Sequence, residues 1–357
     1  MNSRWLLPLL VPVTLAALVR GADFEIKVDR LSPRVAVFSG DPWGNAIVAV
    51  ATTKGLVVVD APFSRTIAGG FRHAIESEFR RSDFAWLIDT HEHTCHVSGN
   101  QAYADLPIVG HASIRADMLK SLADPAHKFS PASLLKLCDS QVVNARAYLE
   151  KNDPARLKTP AWAEYEKDWK LIATDLREGH VTVPPTITFD RQMTLHCGDI
   201  TVRLDYFGCA HGVGDTIVSF PEENLVVTAG IFDAHLVPII HPSEALTARI
   251  VDNWFVVLHD LLDRTDAHTR FLASHSATPM NKAQIASFVS YLEGLWSEVR
   301  QAKNAGETIA QLKARLPLAS RFPEVAKLNN SNLVGTEWEI RDIHNQNIDV
   351  LWNAPAA

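Results

Sequence analysis

Residues 90–100 of the chain read Thr-His-Glu-His-Thr-Cys-His-Val-Ser-Gly-Asn, with three histidines and one cysteine within six positions. Imidazole nitrogens and a thiolate are ligands that zinc prefers in proteins. The segment directly follows the apolar run 84–88, which is typical of a buried strand. Side chains at a strand end are held on a rigid rim. The segment therefore predicts a metal site, and its candidate ligands are His91, His93, Cys95 and His96.

Two histidines farther along the chain lie in similar contexts. His211 follows a predicted strand at 201–206, within a glycine-rich segment, 208–216, that reads Gly-Cys-Ala-His-Gly-Val-Gly-Asp-Thr. His275 follows a predicted strand at 270–273. Because all five histidines come just after predicted strands, we expect them to meet at one edge of the fold.

The strand and helix patterns form two series with the same order. Each has short β-rich runs, then a helix, then a further strand. In the first half the predicted strands are 24–28, 35–38, 46–51, 56–60 and 84–88, with a helix at 67–79. In the second half they are 186–189, 193–196, 201–206, 216–220, 225–228 and 270–273, with a helix at 244–262. Two sheets with helices on their outer faces would bury the apolar side chains of both halves, so an α/β fold is expected.

Two other parts of the chain have the apolar spacing of helices. Residues 113–180 are predicted to form a helical insertion, for which a packed surface bundle and a lid over a cleft are equally open. Residues 282–357 are predicted to form a C-terminal helical extension, with helices at 285–299, 306–316 and 336–352.

Composition and charge narrow the class of protein. The chain has 357 residues, of which 47% are hydrophobic and 21% charged, so it can bury a large core and is not disordered. Its formal charge is −7. A negative chain without a basic stretch argues against nucleic acid or an anionic membrane as partner. A small-molecule substrate is expected from the predicted metal site rather than from the charge, and the sequence does not predict an oligomeric state.

The first 22 residues have the features of a secretory signal peptide: a cationic start, an apolar middle and small residues at the expected cut. The apolar run is short and contains Pro8 and Pro12, which argues against a membrane anchor. We therefore predict a periplasmic or secreted protein with no stable membrane anchor after cleavage. In an oxidising compartment the four cysteines permit two disulfides, although their spacing does not require them.

These motifs resemble those of the metallo-β-lactamase superfamily. That family has a His-x-His-x-Asp-His loop, a later histidine in a glycine-rich turn before Asp-Thr, and a last histidine after a strand. The resemblance covers roughly residues 35–276. It implies a four-layer αββα sandwich with a metal cleft at its edge, formed here by residues 23–281 and carrying the helical insertion and the C-terminal helices.

The resemblance also implies roles for individual residues. It makes His91, His93 and His211 the ligands of a first zinc ion, and His96 and His275 ligands of a second. Asp60 is similar to a family aspartate that supports the ligands from behind, and Asp215 matches the aspartate of the glycine-rich turn. Trp43, Asp233 and His235 are further candidates for lining the substrate pocket, although structural roles explain them as well.

Two positions depart from the family pattern. Cys95 replaces the aspartate of the loop, and Ile231 stands where many members have a bridging carboxylate. A thiolate keeps the negative charge and binds zinc well, so Cys95 could complete the second site. Alternatively, Cys95 could form a disulfide with Cys209, which would remove that ligand. One or two zinc ions per chain are therefore expected.

The resemblance implies a zinc-dependent hydrolase. Zinc on three histidines lowers the pKa of a bound water toward about 7, so hydroxide can attack an amide, ester or lactone, including a β-lactam. Two alternatives stay open. The departures at Cys95 and Ile231 are compatible with a non-catalytic metal-binding or ligand-binding protein. Some relatives instead hold one iron ion and oxidise sulfur compounds, which makes an oxidoreductase the third hypothesis.

Overall fold

The computed structural model describes residues 17–21, 24–150, 159–232, 240, 248–328 and 342–354. Within these residues the strands form two sheets. The first contains β1 (Ala17–Gly21), β2 (Phe24–Arg30), β3 (Val35–Ser39), β4 (Ile47–Thr52), β5 (Gly55–Val59), β6 (Phe84–Ile88), β7 (Ile108–His111) and β8 (Ile187–Phe189). The second contains β9 (Gln192–His196), β10 (Thr201–Tyr206), β11 (Thr216–Phe220), β12 (Leu225–Val227) and β13 (Arg270–Leu272).

Helices cover the outer face of each sheet. On the side of the first sheet lie α1 (Arg65–Phe79), α2 (Thr94–Val97), α3 (Ala112–Ala123), α4 (Pro131–Glu150) and α5 (Thr159–Gly179). On the side of the second lie α6 (Ala248–Arg264), α7 (Lys282–Asn304), α8 (Ile309–Arg315), α9 (Leu318–Arg321), α10 (Pro323–Leu328) and α11 (Ile343–Asn353). The predicted four-layer αββα sandwich is confirmed.

The strand order follows the chain in both sheets. Strands β1 to β5 form an antiparallel meander, and β5 to β8 are parallel. In the second sheet β9 to β12 are antiparallel, and β13 pairs in parallel with β12. Parallel strands end at the same edge, so the loops after β5 and β6, and those after β12 and β13, lie side by side.

Successive side chains along a strand face opposite sides of its sheet and so belong to different layers of the core. In β5, Val57 and Val59 belong to the core between the two sheets, while Leu56 and Val58 belong to the core under α1. In β11, Val218 faces the same intersheet core, and Ile217 packs under α6 and α7. Strands buried on both faces read as continuous apolar runs, which is why these segments lack polar alternation.

The helical insertion packs against the first sheet. Helices α4 and α5 pair with each other, and α5 contacts α1. Trp162, Tyr165 and Trp169 of α5 are buried in the same core as Phe71 of α1. The insertion is thus packed on the first sheet. The loop before α4 brings Phe129 to the ring of His93, with 5.0 Å between ring centroids.

The N-terminal segment contributes an edge strand. Strand β1 lies within the predicted signal peptide and pairs with β2, so cleavage after residue 22 would leave β2 at the edge of the first sheet. Among the helices of the described ranges, none is both long and apolar enough to cross a membrane. Processing and export stay predictions.

Candidate metal centre

The candidate ligands meet at the edge of the sandwich in two clusters. His91, His93 and His211 form the first cluster, and Cys95, His96 and His275 form the second. Within each cluster the three ligand atoms lie within 4.8 Å of one another. The expectation that the histidines after strand ends meet in one place agrees with this geometry.

In the first cluster, the three imidazole rings face one another. The ring centroids of His91 and His93 are 4.6 Å apart, those of His93 and His211 are 4.7 Å apart, and those of His91 and His211 are 5.2 Å apart. His211 Nε2 lies 3.3 Å from His93 Nδ1. Nitrogens converging at this distance surround a space for one ion.

The second cluster lies directly beside the first. The ring centroids of His96 and His275 are 5.1 Å apart, and those of His91 and His96 are only 4.2 Å apart. Cys95 and His96 are both in α2, a single helical turn that begins after His93. His91 and His93, which precede this turn, belong to the first cluster, whereas Cys95 and His96 within the turn belong to the second.

Two buried nitrogens provide a test of whether a metal fits. Nε2 of His91 and Nε2 of His96 are buried and have no hydrogen-bond partner among the residues described. An unpartnered buried polar atom costs about 1–3 kcal/mol. Burial, followed by the nearby His96, His93, His211 and His275, holds the pKa of His91 well below its usual value. His91 is therefore neutral, which is the form that binds a metal, and the donor set fits zinc.

Asp60 orients ligands of both clusters. It follows β5 in a left-handed conformation with φ 68°. Its carboxylate accepts hydrogen bonds from the backbone N–H and the hydroxyl of Thr90, each at 2.9 Å, and lies 2.9 Å from His96 Nδ1. The Thr90 hydroxyl in turn lies 3.0 Å from His91 Nδ1. These contacts on Nδ1 leave Nε2 of both rings available for a metal.

Asp215 holds the loop that carries His211. Its carboxylate accepts hydrogen bonds from the backbone N–H groups of Ala210, His211 and Gly212 at 2.7–3.0 Å. Burial, followed by the nearby Glu92, raises the pKa of Asp215 to about 8. Asp215 thus fixes the position of His211 through the backbone.

Glu92 is a supporting residue that the sequence analysis missed. It lies between His91 and His93, and its carboxylate is 3.9 Å from Nε2 of His93. Its buried carboxylate accepts hydrogen bonds from the N–H of Val213 at 3.0 Å and of Gly214 at 3.2 Å. Glu92 therefore ties the loop of the first two ligands to the loop of the third. The only signal in the sequence was an acidic residue flanked by two candidate ligands.

Gly230 lies directly against the ring of His211. A methyl group on Gly230 would lie 2.2 Å from Cδ2 and 2.4 Å from Nε2 of His211, so only glycine fits there. Ile231 is buried in the apolar core under α6 and α7. The place of the family's bridging carboxylate is thus part of the hydrophobic core.

The disulfide alternative is wrong. All four cysteines lie in the described part of the chain and are free thiols. The thiol of Cys209 contacts the carbonyl oxygen of Gly212 at 3.0 Å, whereas Cys95 faces the second cluster. Burial raises the pKa of Cys95, so its thiolate needs a nearby positive charge such as a metal ion.

The three residues proposed for the pocket have different outcomes. The half-buried ring of Trp43 contacts those of Phe63 and Trp169, and its carbonyl oxygen lies 3.2 Å from His275 Nδ1. Trp43 is therefore adjacent to the second cluster, and a contact with substrate stays a prediction. Asp233 and His235 lie outside the described residues.

Solved structures with similar folds include several hydrolases. An inverting sec-alkylsulfatase, Pisa1 from Pseudomonas sp., is 13% identical over 91% of this chain and 49% of its own, with a TM-score of 0.57. A metallo-β-lactamase from Pontibacter korlensis is 13% identical over 78% and 99%, with a TM-score of 0.45. The DIM-1 metallo-β-lactamase exposed to ceftazidime is 12% identical over 75% and 97%, with a TM-score of 0.47.

The chain spans about half the length of the alkylsulfatase chain that it matches. No protein-family model matches the chain, and no curated protein sequence matches it. At these identities the likeness is one of fold. The four αββα layers, their strand order and the ligand clusters at their edge show that the chain has the metallo-β-lactamase fold.

Proposed function

We propose that the chain is a metal-dependent hydrolase that binds zinc on His91, His93 and His211 and a second metal on the cluster of Cys95. The observation that supports this most directly is the convergence of two three-ligand clusters in one cleft, with 4.2 Å between the rings of His91 and His96. Three protein ligands leave a coordination position for water or substrate, which is typical of catalytic rather than structural zinc.

Zinc, when bound, supplies a Lewis acid that activates water at neutral pH and polarises a carbonyl or related oxygen. The chain supplies the geometry. Asp60 and Thr90 fix the ring orientation of His91 and His96, while Glu92 and Asp215 hold the loop of His211. Each of these groups acts through a ligand, so they are positioning residues.

An aromatic side chain lies beside the first cluster. The ring of Phe129 contacts that of His93, with 5.0 Å between ring centroids. An amide, ester or lactone, including a β-lactam, fits a site of this kind. Hydrolysis adds water across the acyl bond, with the proton passing to the leaving group. Sulfate esters join the substrate panel because one protein of similar fold is an alkylsulfatase.

The test combines metal content with turnover. We expect purified protein to hold one or two zinc ions per chain and to hydrolyse at least one class among esters, lactones, β-lactams and sulfate esters. His91→Ala should lose metal and activity together. His73→Ala, an exposed histidine on α1, should lose neither.

Two results would contradict the proposal. Iron at full occupancy with oxygen uptake on sulfur compounds would indicate the oxidoreductase. Full zinc occupancy without turnover of any substrate class would indicate the non-catalytic binding protein.

We also propose that the chain is exported, that residues 23–281 form the catalytic domain and that 282–357 form a helical extension. The cationic and apolar character of residues 1–22 supports export. Mass spectrometry of the mature N-terminus after expression with an intact leader tests it. A mature protein that retains Met1 and stays in the cytoplasm would contradict export.

A further inference from the structure

Three aromatic rings connect the helical insertion to the turn beside the second cluster. The ring centroids of Trp43 and Phe63 are 5.2 Å apart, those of Trp43 and Trp169 are 5.3 Å apart, and those of Phe63 and Trp169 are 5.2 Å apart. All three pairs are edge-to-face, which stabilises them beyond the area that they bury. Phe63 and Trp169 are fully buried. These three residues are called the aromatic triad below, and Trp169 belongs to α5 of the insertion.

The turn 41–45, which connects β3 and β4, holds the backbone of Trp43 in one conformation. The carboxylate of Asp41 accepts hydrogen bonds from the N–H groups of Trp43 at 2.9 Å and of Asn45 at 3.2 Å. The N–H of Gly44 donates to the carbonyl oxygen of Asp41 at 3.0 Å, and Gly44 has a φ of 69°, a left-handed conformation that favours glycine. The turn therefore fixes the direction of the Trp43 carbonyl group, and the aromatic triad fixes the position of the turn.

Two hydrogen bonds join this turn to the segment that carries His275. The carbonyl oxygen of Trp43 lies 3.2 Å from Nδ1 of His275, and the N–H of Ala46 donates to the carbonyl oxygen of Ser274 at 2.8 Å. Because a carbonyl oxygen can only accept, Nδ1 of His275 carries the proton in this contact. The lone pair of the neutral ring is then on Nε2, which can bind a metal ion of the second cluster.

The first cluster depends on other supports. Glu92 accepts a hydrogen bond from the N–H of Val213 at 3.0 Å, and Asp215 accepts one from the N–H of His211 at 2.7 Å. These supports lie in the loops after β6 and β10, whereas the aromatic triad joins α5 to the turn between β3 and β4. A change in the triad should therefore act on the second cluster more than on the first.

We propose that Trp169 is a positioning residue for the second metal cluster. Its ring holds the ring of Trp43, the carbonyl oxygen of Trp43 holds Nδ1 of His275, and Nε2 of His275 is thereby presented to the metal ion. Nε1 of Trp169 is buried and has no hydrogen-bond partner among the residues described, so Trp169 acts through the packing of its ring. The inference rests on the proposed function in treating the second cluster as a metal site.

Trp162 provides a matched control in the same helix. It is 3% exposed and belongs to the same hydrophobic core as Trp169, about two helical turns earlier. Its ring contacts that of Tyr165, with 5.3 Å between centroids, whereas the ring of Trp169 contacts that of Trp43. Trp169→Leu and Trp162→Leu therefore remove the same side chain from the same core, and Trp169→Phe keeps an aromatic ring in the triad.

Zinc titration of the purified full chain measures the effect. We expect Trp169→Leu to weaken binding of the second equivalent at least tenfold, since groups that orient a metal ligand contribute about 10–100-fold, and to change the first equivalent less than threefold. Trp169→Phe and Trp162→Leu should bind both equivalents within threefold of the wild type. Equal weakening of both equivalents in Trp169→Leu, or the same loss in Trp162→Leu, would indicate general destabilisation and overturn the proposal.

Trp43→Ala tests the same contact from the other side, because it removes the ring and keeps the backbone carbonyl group. It should weaken the second equivalent by the same factor as Trp169→Leu, and the double variant should lose no more than either single variant. Losses that multiply in the double variant would show two independent effects and overturn the proposal. Thermal denaturation verifies folding, and if Trp169→Leu does not fold, unchanged zinc binding by folded Trp43→Ala overturns the proposal.

The ring of His275 can also be observed without metal. Long-range ¹H–¹⁵N spectra of the metal-free protein at pH 8 should show the proton of His275 on Nδ1 in the wild type and in Trp169→Phe. In Trp169→Leu this preference should be lost. The same tautomer of His275 in the wild type and in Trp169→Leu would overturn the proposal.

The outcomes separate this inference from the proposed function. Selective loss of the second zinc ion in Trp169→Leu, with no hydrolysis of any substrate class by the wild type, supports the inference and contradicts the proposed function. Hydrolysis by the wild type, with unchanged zinc binding in Trp169→Leu, overturns the inference alone.

Discussion

A single methyl group on Gly230 should detach one ligand of the first cluster. An ideal Cβ at this position lies 2.2 Å from Cδ2 of His211. Nonbonded carbon atoms in contact lie about 3.5–4.0 Å apart, so the ring must move by roughly 1 Å or more. Zinc–nitrogen bonds of about 2.0–2.1 Å tolerate deviations of only about 0.2 Å. The bond to His211 would therefore be lost in Gly230→Ala.

The expected loss is specific to the metal. We expect zinc affinity of the first cluster to fall by a factor of about 100 or more, since disturbing groups that merely support a ligand already costs about 10–100-fold. Gly230 does not have the left-handed φ that an alanine would resist, so the strain falls on the ring of His211. Competition with a chromophoric chelator measures the affinity, and cobalt absorption spectra report the ligand number.

Gly69→Ala is the matched control. Gly69 lies in α1, and no heavy atom lies within 4 Å of an added Cβ. Alanine favours a helix by about 1 kcal/mol over glycine, so stability should rise or stay the same and metal affinity should not change. If Gly230→Ala folds and keeps the zinc affinity of the wild type within threefold, His211 is not a zinc ligand of the first cluster.

Three further perturbations test other parts of the site. Cys95→Ser should lose one equivalent of metal by elemental analysis while Cys95→Asp retains it; equal stoichiometry in both variants would remove Cys95 from the ligand set. Glu92→Gln loses one acceptor oxygen facing the N–H groups of Val213 and Gly214. Zinc affinity should therefore fall about 10-fold, and the cobalt spectrum should change. An unchanged spectrum and affinity would contradict the role of Glu92 in holding the loop of His211. The raised pKa of Asp168, caused by burial and then by Glu164 and Asp41 against the attraction of Lys167, means that ionisation favours the unfolded chain. The free energy of unfolding of the wild type should therefore fall relative to Asp168→Asn as the pH rises from about 4 to about 8. Urea denaturation of both proteins across this pH range measures the difference. Parallel pH profiles would show that Asp168 is not buried.

Local sequence patterns predicted most strands and several helix ends. The strands at 84–88, 201–206 and 216–220 have the predicted bounds. Deviations have local causes. Helix α1 begins at Arg65, before the predicted residue 67, because Ser64 caps it. Helix α8 begins at Ile309, three residues after the predicted start, because Thr308 forms a capping box with Gln311.

The candidate site could be predicted from the sequence only through the residue types and their positions after predicted strands. The six ligands could be named because imidazole and thiolate after strands are unusual in a core. Gly230 and Glu92 could not, since their importance comes from contacts with residues more than 15 positions away. Spacing predicted the helices of the insertion, but the contact of Trp169 with Trp43 depends on how α5 packs, which local spacing does not encode.

The two departures from the family pattern are physically connected. Ile231 is buried in the apolar core, and Cys95 is the only residue of the two clusters whose side chain can become an anion. Carboxylates surround these clusters without belonging to either: Asp60 contacts His96, and Glu92 and Asp215 bind backbone. A metal ion bound here would receive negative charge from these carboxylates only through other groups, which would keep it a stronger Lewis acid. Because burial raises the pKa of the Cys95 thiol, occupancy of the second cluster must be coupled to its deprotonation, whereas burial already lowers the pKa of His91 in the first cluster.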